Sequence, residues 1–307
     1  MSILSGLINA ITNPLYFLTK PRTFRFVNII PSNLYLKLRY KEKLGRYPDL
    51  RNPKLFTEKL QWLKLHDRRP EYTQIVDKYE VRKNIESLCG EQYLIPLLGF
   101  WDRVEDIDFS KLPDKFVLKC THDSGSVVVC TDKSILDVEA AKKKLKHRLK
   151  YNYYWHSREY PYKNVRPRVI CEKYMADESG TELKDYKFLC FNGEPKYIQL
   201  DYDRFTDHKI HVYDNEWNYV PFYIDKYYPD LSRSFEEPAC YDEMLSLARA
   251  LSDGFFFLRV DFYIVNDRVF IGELTLYPGS GAWLIEPIEY DNELGKLLDI
   301  SSVCRDT

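Results

Sequence analysis

The sequence lacks an excess of charge of either sign. Its 307 residues include 45 Lys and Arg against 46 Asp and Glu, which gives a formal net charge of −1. Proteins that bind nucleic acid usually carry a basic excess, so nucleic acid is not an expected partner. The sequence also has no low-complexity segment and no internal repeat, and 45% of its residues are hydrophobic. Such a chain is long and apolar enough for one large folded domain or two smaller ones.

Paired cysteines are also missing. The Cys residues number seven, which is odd, and none forms a CxxC motif, so neither a disulfide framework nor a zinc ribbon is expected. Four of them lie in apolar runs that are typical of strands. We predict that these four are buried thiols in a reducing cytoplasm: Cys120, Cys130, Cys171 and Cys190.

No apolar run is long enough to span a membrane. Residues 1–20 are apolar, but Asn9, Asn13 and Pro14 interrupt them, and they lack a basic start and a cleavage site. Neither a signal peptide nor a membrane-spanning helix is therefore predicted. Two interpretations stay open for this segment. It is either a helix that lies on a membrane, which would put a cytoplasmic protein at the inner membrane face, or a helix packed on the main body.

The secondary-structure patterns predict an α+β fold with mostly antiparallel sheets. Residues 1–75 have helical patterns, residues 93–102 are interpreted as a short buried strand, and residues 152–167 as a loop. Further helices are predicted for residues 77–90, 136–151 and 241–252. Strands are predicted for the hairpin 116–130 and for residues 168–175, 186–192, 195–202, 209–214, 257–265 and 269–277, with a turn at 192–194.

The strongest chemical signal is the last predicted hairpin. If residues 266–268 form a three-residue turn, Asp261 lies opposite Glu273 and Arg259 lies opposite Thr275, all on one face. Two facing carboxylates destabilise a sheet unless a cation lies between them, and oxygen ligands on rigid strands suit Mg²⁺. Arg259 beside them suits a phosphate or an acyl phosphate. The alternative is a solvated face on which Arg259 pairs diagonally with Glu273.

A lysine within an apolar strand is the second signal. Lys119 lies in the hairpin 116–130, and a buried ammonium needs a partner, such as a nucleotide phosphate. The loop 121–125, THDSG, offers backbone N–H groups, two hydroxyls and a flexible glycine, which together suit an anion. It is not a Walker A motif, because GxxxxGK[ST] is absent from the sequence. The alternative is an ordinary hairpin whose lysine extends to solvent.

The order of these features along the chain is itself informative. A lysine at 78 comes first, then the Lys119 hairpin, a strand that ends in Glu172, a strand with Asp185 and Lys187 on one face, and the carboxylate pair. In this order the sequence resembles the TupA-like ATP-grasp family, which is named for its link to teichuronopeptide synthesis, over about residues 35–290. The matching segments are TEKLQWLKLHDRRPEYTQIVDKYEVR, GEQYLIPLLGFWD, FVLKCTHDSGSVV, ICEKYM, DYKFLCFNGEPKYIQ and RVDFY with FIGELTLYPGSG.

The resemblance implies an ATP-grasp fold, in which two α+β subdomains with mostly antiparallel sheets clasp ATP. It implies a helical N-terminal region at residues 1–75 and a catalytic region at 76–307. Within the catalytic region, residues 116–175 would form a lid subdomain with a flexible phosphate loop. Residues 176–290 would form the subdomain that binds metal and phosphate.

The resemblance also implies roles for individual residues. Lys78 and Lys119 look like the two lysines that contact ATP, Asp185 is expected near the ribose, and Lys187 near the phosphates. The residues that look like the phosphate-covering loop are His122, Ser124, Gly125 and Ser126. Those expected at the adenine edge are Glu172, Lys173, Tyr174 and Met175.

The expected Mg²⁺ ligands are Asp261 and Glu273, which agrees with the pairing argument above. ATP-grasp enzymes usually carry Glu-x-Asn on the last strand, and this sequence departs from that pattern with Glu273, Leu274 and Thr275. Thr275 offers a neutral oxygen only. It is therefore a third candidate Mg²⁺ ligand, at a position where the family usually has asparagine.

The activity implied by the resemblance is that of an ATP-dependent carboxylate–amine ligase in bacterial surface polysaccharide or capsule biosynthesis. A carboxylate, expected to belong to a uronic acid of a saccharide or sugar nucleotide, would attack ATP. An amine or amino acid would capture the acyl phosphate and form an amide, with release of ADP. Lys187 and Arg259 are the catalytic candidates, with Arg259 expected to hold the acyl phosphate.

Two other functions stay open. A glycosyltransferase would use a sugar nucleotide, and residues 201–203, DYD, match the letters of its metal-binding DxD motif. A nucleotide-binding protein without catalysis would keep the fold alone. His208 and His211 have no metal partner in the sequence and are predicted to lie on the surface.

Overall fold

The computed structural model describes residues 25–176, 183–204 and 206–303, with side chains from residue 27 onward. The helix predicted for residues 1–20 lies outside the described residues. The α-helices are α1 (Ser32–Leu44), α2 (Phe56–His66), α3 (Tyr72–Val76), α4 (Val81–Cys89), α5 (Val138–Leu149), α6 (Tyr154–Ser157), α7 (Tyr241–Ser252) and α8 (Ile288–Leu297). Short 3₁₀ helices occupy Arg25–Ile29, Glu91–Tyr93, Val104–Asp106, Phe109–Lys111, Lys133–Ile135, Tyr160–Asn164 and Pro278–Gly281.

The strands form two main antiparallel sheets and one short ribbon. They are β1 (Leu97–Trp101), β2 (Phe116–Cys120), β3 (Val127–Cys130), β4 (Val169–Lys173), β5 (Asp185–Phe191), β6 (Glu194–Tyr202), β7 (Lys209–Asp214), β8 (Tyr223–Ile224), β9 (Phe257–Val265), β10 (Arg268–Thr275) and β11 (Ile285–Glu286). One sheet has the order β1-β4-β2-β3, the other β10-β9-β5-β6-β7, and β8 pairs with β11. The predicted α+β class with mostly antiparallel sheets is confirmed.

The two faces of the five-stranded sheet differ in polarity. One face is apolar along β5 and β9, and the other, called the polar face below, carries Lys187, Arg259 and Asp261 beside apolar residues at one end of the strands. Alternate residues of β5 and β9, such as Phe188 and Phe262, point toward α7, where the ring of Phe188 stacks on Tyr241. Part of the larger apolar core lies on this side. On the opposite face, Phe191 and Phe257 contact Phe56 of α2 at one end of the strands. The residues between those that point toward α7 lie on this opposite face, so the sheet can hold charged groups there.

The four-stranded sheet has its own smaller core. Phe116, Leu118 and Cys120 of β2 pack against Leu145 of α5. The four cysteines predicted to be buried are all buried and carry free thiols, so their predicted burial is confirmed. No helix in the described ranges is long and apolar enough to cross a membrane.

Two local predictions are wrong. The strand predicted to be buried in residues 93–102 is β1, an edge strand of the four-stranded sheet, and Leu98 and Phe100 are exposed. An edge strand leaves part of one face uncovered, which alternation of apolar residues alone does not reveal. The predicted loop 152–167 contains the single-turn helix α6 and a 3₁₀ helix.

Candidate active site

The hairpin of β9 and β10 carries the predicted carboxylate pair. Its turn consists of Asn266 and Asp267 alone, whose φ angles of 50° and 57° suit a two-residue turn. The predicted three-residue turn is therefore wrong. The register shifts between Ile271 and Glu273, and beyond this β-bulge Asp261 pairs with Glu273. The predicted pairing is thus observed, although a bulge, and not the length of the turn, produces it.

Gly272 lies in this bulge, against the ring of Tyr263. A Cβ atom at position 272 would be 2.5 Å from Cε2 of that ring, far inside a normal contact distance. Glycine is the residue that lets the backbone approach the ring this closely. The register that brings the two carboxylates together therefore depends on a glycine at this position.

Arg259 is the main partner of Asp261. Its Nε and Nη2 atoms donate to the two carboxylate oxygens of Asp261, each at 2.6 Å. Nη2 also donates to Oγ1 of Thr275 at 3.3 Å. The diagonal contact of Arg259 with Glu273 is longer, at 3.9 Å, and Glu273 lies closer to Lys78, at 3.3 Å. The two carboxylates thus face each other with one cation beside each.

The two carboxyls differ in electrostatics. Burial raises the pKa of Asp261 to about 6, in spite of the attraction of Arg259. Burial also acts on Glu273, but Lys78 and Arg259 outweigh it and hold its pKa below the ordinary value. A divalent cation between the two oxygens would lower the cost of ionising Asp261.

This donor set fits Mg²⁺. The described part of the chain has no group of three or more His, Cys, Asp or Glu side chains that could hold a metal ion. A cation at Asp261 and Glu273 would therefore complete its shell with other oxygens. Mg²⁺ is commonly bound by one or two carboxylates together with water and substrate phosphates.

Lys119 forms an ion pair with Glu172 on the neighbouring strand β4. Its Nζ atom lies 2.7 Å from Oε2 of Glu172, and Arg82 lies 3.4 Å from the other oxygen. Burial lowers the pKa of Lys119, but the carboxylate of Glu172 outweighs it, so the net pKa is raised. The lysine is thus charged and paired, and it does not extend freely to solvent. Glu172, predicted at the adenine edge, contacts this lysine.

The loop between β2 and β3 is closed by hydrogen bonds around Asp123. Arg148 of α5 donates to Oδ2 of Asp123 at 2.6 Å and also contacts the carbonyl of Ser124. Lys78 donates to the carbonyl of Asp123 at 2.9 Å. The hydroxyl of Ser126 is buried, contacts Asp123 and accepts the N–H of Cys120.

The predicted loop residues therefore differ in accessibility. Ser124 and Gly125 are exposed, whereas His122 and Ser126 are buried. Nε2 of His122 lies 3.0 Å from the carbonyl of Tyr151. Burial lowers the pKa of His122, which favours a neutral ring in this conformation.

A narrow cavity lies between the two sheets, next to the predicted ATP-binding residues. Lys78, Lys119, Glu172 and Glu273 line it, and its volume is about 30 Å³. Sites that bind a ligand as large as ATP usually have volumes of hundreds of Å³. This cavity is too small to hold ATP, so the cleft is closed. At the end of β4, Lys173 is exposed, while Tyr174 and Met175 are half-buried.

A second charged group lies on the polar face of β5 and β6. Lys187 pairs in register with Asp261, and Asp185 with Asp201. Nζ of Lys187 contacts Oδ2 of Asp201 and lies 3.3 Å from Oδ2 of Asp185. Oδ1 of Asp185 is buried without a hydrogen-bond partner among the described residues. Lys187 thus stands between two carboxylates, one strand away from the proposed metal pair.

Three members of this group were not predicted to belong to it. Asp201 binds Lys187, Arg204 contacts Asp185, and His208 lies 3.1 Å from Oδ2 of Asp201. The prediction that both histidines lie on the surface is wrong for His211, which is 3% exposed. His208 is half-buried. The hairpin turn is Asn192 and Gly193, one residue shorter than predicted, and counting outward from it would pair Asp185 with Leu200. A bulge between Leu189 and Cys190 moves this pairing to Asp201.

The carboxylates of Asp201 and Asp203, which match the DxD motif, do not come together as a cation-binding pair. Both oxygens of Asp201 are engaged, Oδ1 by Gln199 at 2.7 Å and Oδ2 by Lys187 and His208. Asp203 contacts Arg233 instead. The two carboxylates are therefore held by different groups.

A family model described as TupA-like ATPgrasp matches residues 58–299. The chain belongs to this family. The predicted family and its ATP-grasp fold are thereby confirmed, and membership supports the predicted use of ATP and Mg²⁺. A search of curated proteins found no significant match. The roles of the individual site residues stay predictions.

Solved structures of several ATP-grasp ligases are similar to this chain. D-alanine–D-alanine ligase from Helicobacter pylori is 17% identical, with 73% of this chain and 61% of that chain covered and a TM-score of 0.37. The ligase of the same kind from Bacillus anthracis, complexed with ATP, is 15% identical, with coverages of 73% and 63% and a TM-score of 0.40. The ATP-grasp ligase PsnB, complexed with a precursor variant, Mg and ADP, is 9% identical, with coverages of 79% and 66% and a TM-score of 0.42. The chain thus spans less than two thirds of the length of these ligases.

Proposed function

We propose that this protein is an ATP-dependent, ADP-forming carboxylate–amine ligase of bacterial surface polysaccharide biosynthesis. Its carboxylate substrate is a uronic acid of a saccharide or sugar nucleotide, and its second substrate is an amine or amino acid. Membership in the TupA-like ATP-grasp family supports the reaction class. The proposed role in polysaccharide biosynthesis rests on the name of that family, which refers to its link to teichuronopeptide synthesis.

The observation that carries the proposal is the pairing of Asp261 with Glu273 next to Arg259 and Lys187. Two carboxylates on rigid strands with two cations beside them suit an Mg²⁺-bound phosphate chain. Asp261 is 4% exposed, and a buried carboxyl of raised pKa needs a counter-ion to ionise. The four groups lie on one face of one sheet.

Each residue of this face has a proposed part in the reaction. Mg²⁺ held by Asp261 and Glu273 would neutralise charge on the transferring phosphoryl group. Lys187 would stabilise the phosphate oxygens as the substrate carboxylate attacks. The guanidinium group of Arg259 can donate two parallel hydrogen bonds to a carboxylate or a phosphate, so Arg259 is the candidate for holding the acyl phosphate.

The opposite side of the cleft would bind the rest of ATP. Lys78 and Lys119 are placed to exchange their present partners, Glu273 and Glu172, for phosphate oxygens. Ser124 and Gly125 would cover the phosphates, because they are the exposed residues of the loop. The closed cleft must open for ATP to enter, and closing it again would keep water away from the acyl phosphate.

We also keep the predicted division of the chain as a proposal. Residues 116–175 would act as the lid subdomain, and residues 176–290 as the subdomain that binds metal and phosphate. The protein would act in the cytoplasm, or at the inner face of the membrane if residues 1–20 bind there.

The experiment is to measure ADP release from Mg·ATP with the purified protein. Uronic acids and their nucleotide forms are combined with amino acids and small primary amines. ADP that appears only when a carboxylate and an amine are both present supports the ligase. UDP release from a sugar nucleotide without ATP would instead support a glycosyltransferase.

Matched variants make this assay specific. Asp261→Asn removes one charge from the proposed metal pair. Asp267→Asn makes the same chemical change in the exposed turn of the same hairpin, where asparagine suits the left-handed backbone. We expect the first variant to lose ADP formation and the second to retain it.

A further inference from the structure

His208 stands at the border between solvent and the polar face of the five-stranded sheet, where it contacts Asp201. Its side chain is 22% exposed, and its Nε2 atom lies 3.1 Å from Oδ2 of Asp201. The ring also packs against Tyr227, with the ring centres 4.2 Å apart. A histidine that is held on one nitrogen and partly exposed to solvent is placed to exchange protons with a ligand.

The hydrogen bond to Asp201 determines which nitrogen of His208 is available. A carboxylate only accepts hydrogen bonds, so Nε2 carries the proton that points to Asp201. The lone pair of the neutral ring is then on Nδ1. Among the described residues, no hydrogen bond to Nδ1 is present. The imidazole therefore offers a proton acceptor that is oriented by Asp201.

Asp201 stays ionised, which is required for this role. Burial would raise its pKa, but Lys187 and the hydrogen bonds from His208 and Gln199 outweigh burial and hold the pKa well below its ordinary value. A charged carboxylate stabilises an imidazolium when the ring takes up a proton. Asp201 is thus a positioning residue that acts through His208.

Other charges around this pair come from three elements. Lys187 and Asp185 belong to β5, and Arg204 lies in the connection from β6 to β7. Lys209 at the start of β7 is paired with Asp207 at 3.0 Å. These charges largely form pairs with one another, so Asp201 remains the direct partner of His208.

The position of Asp201 links His208 to the reacting groups. The same oxygen, Oδ2, contacts both Nζ of Lys187 and Nε2 of His208. Lys187 in turn pairs in register with Asp261 on β9. His208 is therefore next to the face that is proposed to bind phosphate, and it is partly exposed to solvent.

We propose that His208, oriented by Asp201, accepts the proton of the amine substrate when the amine attacks the acyl phosphate. This inference rests on the ligase function proposed above. The amine nitrogen forms a bond to the acyl carbon, and its proton passes to Nδ1 of His208. The bond between the acyl carbon and the phosphate oxygen breaks, and phosphate leaves with that electron pair. The imidazolium then releases its proton to solvent.

The test separates the two halves of the reaction. Hydroxylamine is largely unprotonated near neutral pH and is a strong nucleophile. It captures an acyl phosphate as a hydroxamate and loses its proton to solvent, so it does not depend on a general base of the protein. We compare the wild type with His208→Gln, using the carboxylate of the panel that gives most ADP. One assay contains hydroxylamine, and the other contains the amine that gives most amide with the wild type.

We expect His208→Gln to lower the rate of amide formation by about 10²-fold or more, as removal of a general base does. Hydroxamate formation should be retained, because acyl phosphate synthesis does not use the imidazole. His211→Gln is the matched control, because His211 lies on β7, which begins directly after His208. Its ring is buried among Tyr202, Tyr213 and Phe235, away from the polar face, and it should change both products equally.

Each other result would overturn the inference. Unchanged amide formation in His208→Gln would show that the imidazole takes no proton from the amine. Loss of both products in a folded variant would assign His208 to phosphoryl transfer or to structure. If the wild type formed no hydroxamate from any carboxylate, the ligase function itself would be overturned. The same would follow if the wild type formed hydroxamate but no amide from any of the amines.

Discussion

Asp261 is expected to make the stability of the protein depend on pH in a way that one substitution removes. Burial raises its pKa from 3.8 to about 6. A carboxyl with a raised pKa binds its proton more tightly in the folded state. Its contribution to stability is therefore complete below pH 3.8 and is lost as the pH rises through about 6. Each pH unit corresponds to about 1.4 kcal/mol, so the full loss is about 3 kcal/mol.

Urea unfolding of the wild type and of Asp261→Asn between about pH 4 and about pH 8 measures this effect. The asparagine does not titrate. It also leaves Arg259 with a weaker partner, which shifts the whole curve by an amount that is independent of pH. The free energy of unfolding of the wild type should fall by about 2 kcal/mol more than that of the variant over this range. Other buried carboxyls with raised pKa values contribute equally to both proteins and cancel.

Asp267→Asn is the control, and it should follow the wild-type curve. Parallel curves for the wild type and Asp261→Asn would refute the reasoning, because they would mean that Asp261 has an ordinary pKa. Mg·ATP should raise the stability of the wild type more at pH 8 than at pH 5, since a cation prefers the ionised carboxylate.

Three further predictions concern the two sides of the cleft. Glu172→Gln leaves Lys119 without its counter-charge, so it should lower the free energy of unfolding, measured with urea, by about 2–3 kcal/mol. The double variant with Lys119→Met should recover part of this loss. Gly272→Ala should cost about 1–3 kcal/mol in the same assay, because the new methyl group overlaps the ring of Tyr263, and Tyr263→Ala should relieve the overlap in the double variant. Arg148→Ala should increase amide hydrogen exchange in residues 121–126 more than in α5, and equal exchange would contradict a closing role for this arginine.

The carboxylate pair could be predicted from the sequence because it depends on local pattern. Side chains alternate along strands, and the two strands are joined by a short turn, so Asp261 and Glu273 could be aligned by counting. The turn was assigned one residue too long, and the bulge at Gly272 compensated for that error. A bulge depends on the contact of Gly272 with Tyr263, and this contact is visible only in three dimensions.

The group around Asp201 could not be predicted in the same way. Asp201 lies in a predicted strand and His208 in the polar stretch after it, whereas Lys187, the partner of Asp201, belongs to another strand. Lys119 shows the same limit, because its partner Glu172 is 53 residues away. Sequence patterns identify a buried charge, but the identity of its partner depends on how distant strands pair.

The most direct test of the proposed function is ADP release from Mg·ATP by the wild type, Asp261→Asn and Asp267→Asn, with and without each member of the carboxylate and amine panels. The proposed function predicts ADP formation that requires both substrates, is lost in Asp261→Asn and is retained in Asp267→Asn. Equal ADP formation by the wild type and Asp261→Asn would contradict the assignment of the carboxylate pair to the metal and phosphate chemistry.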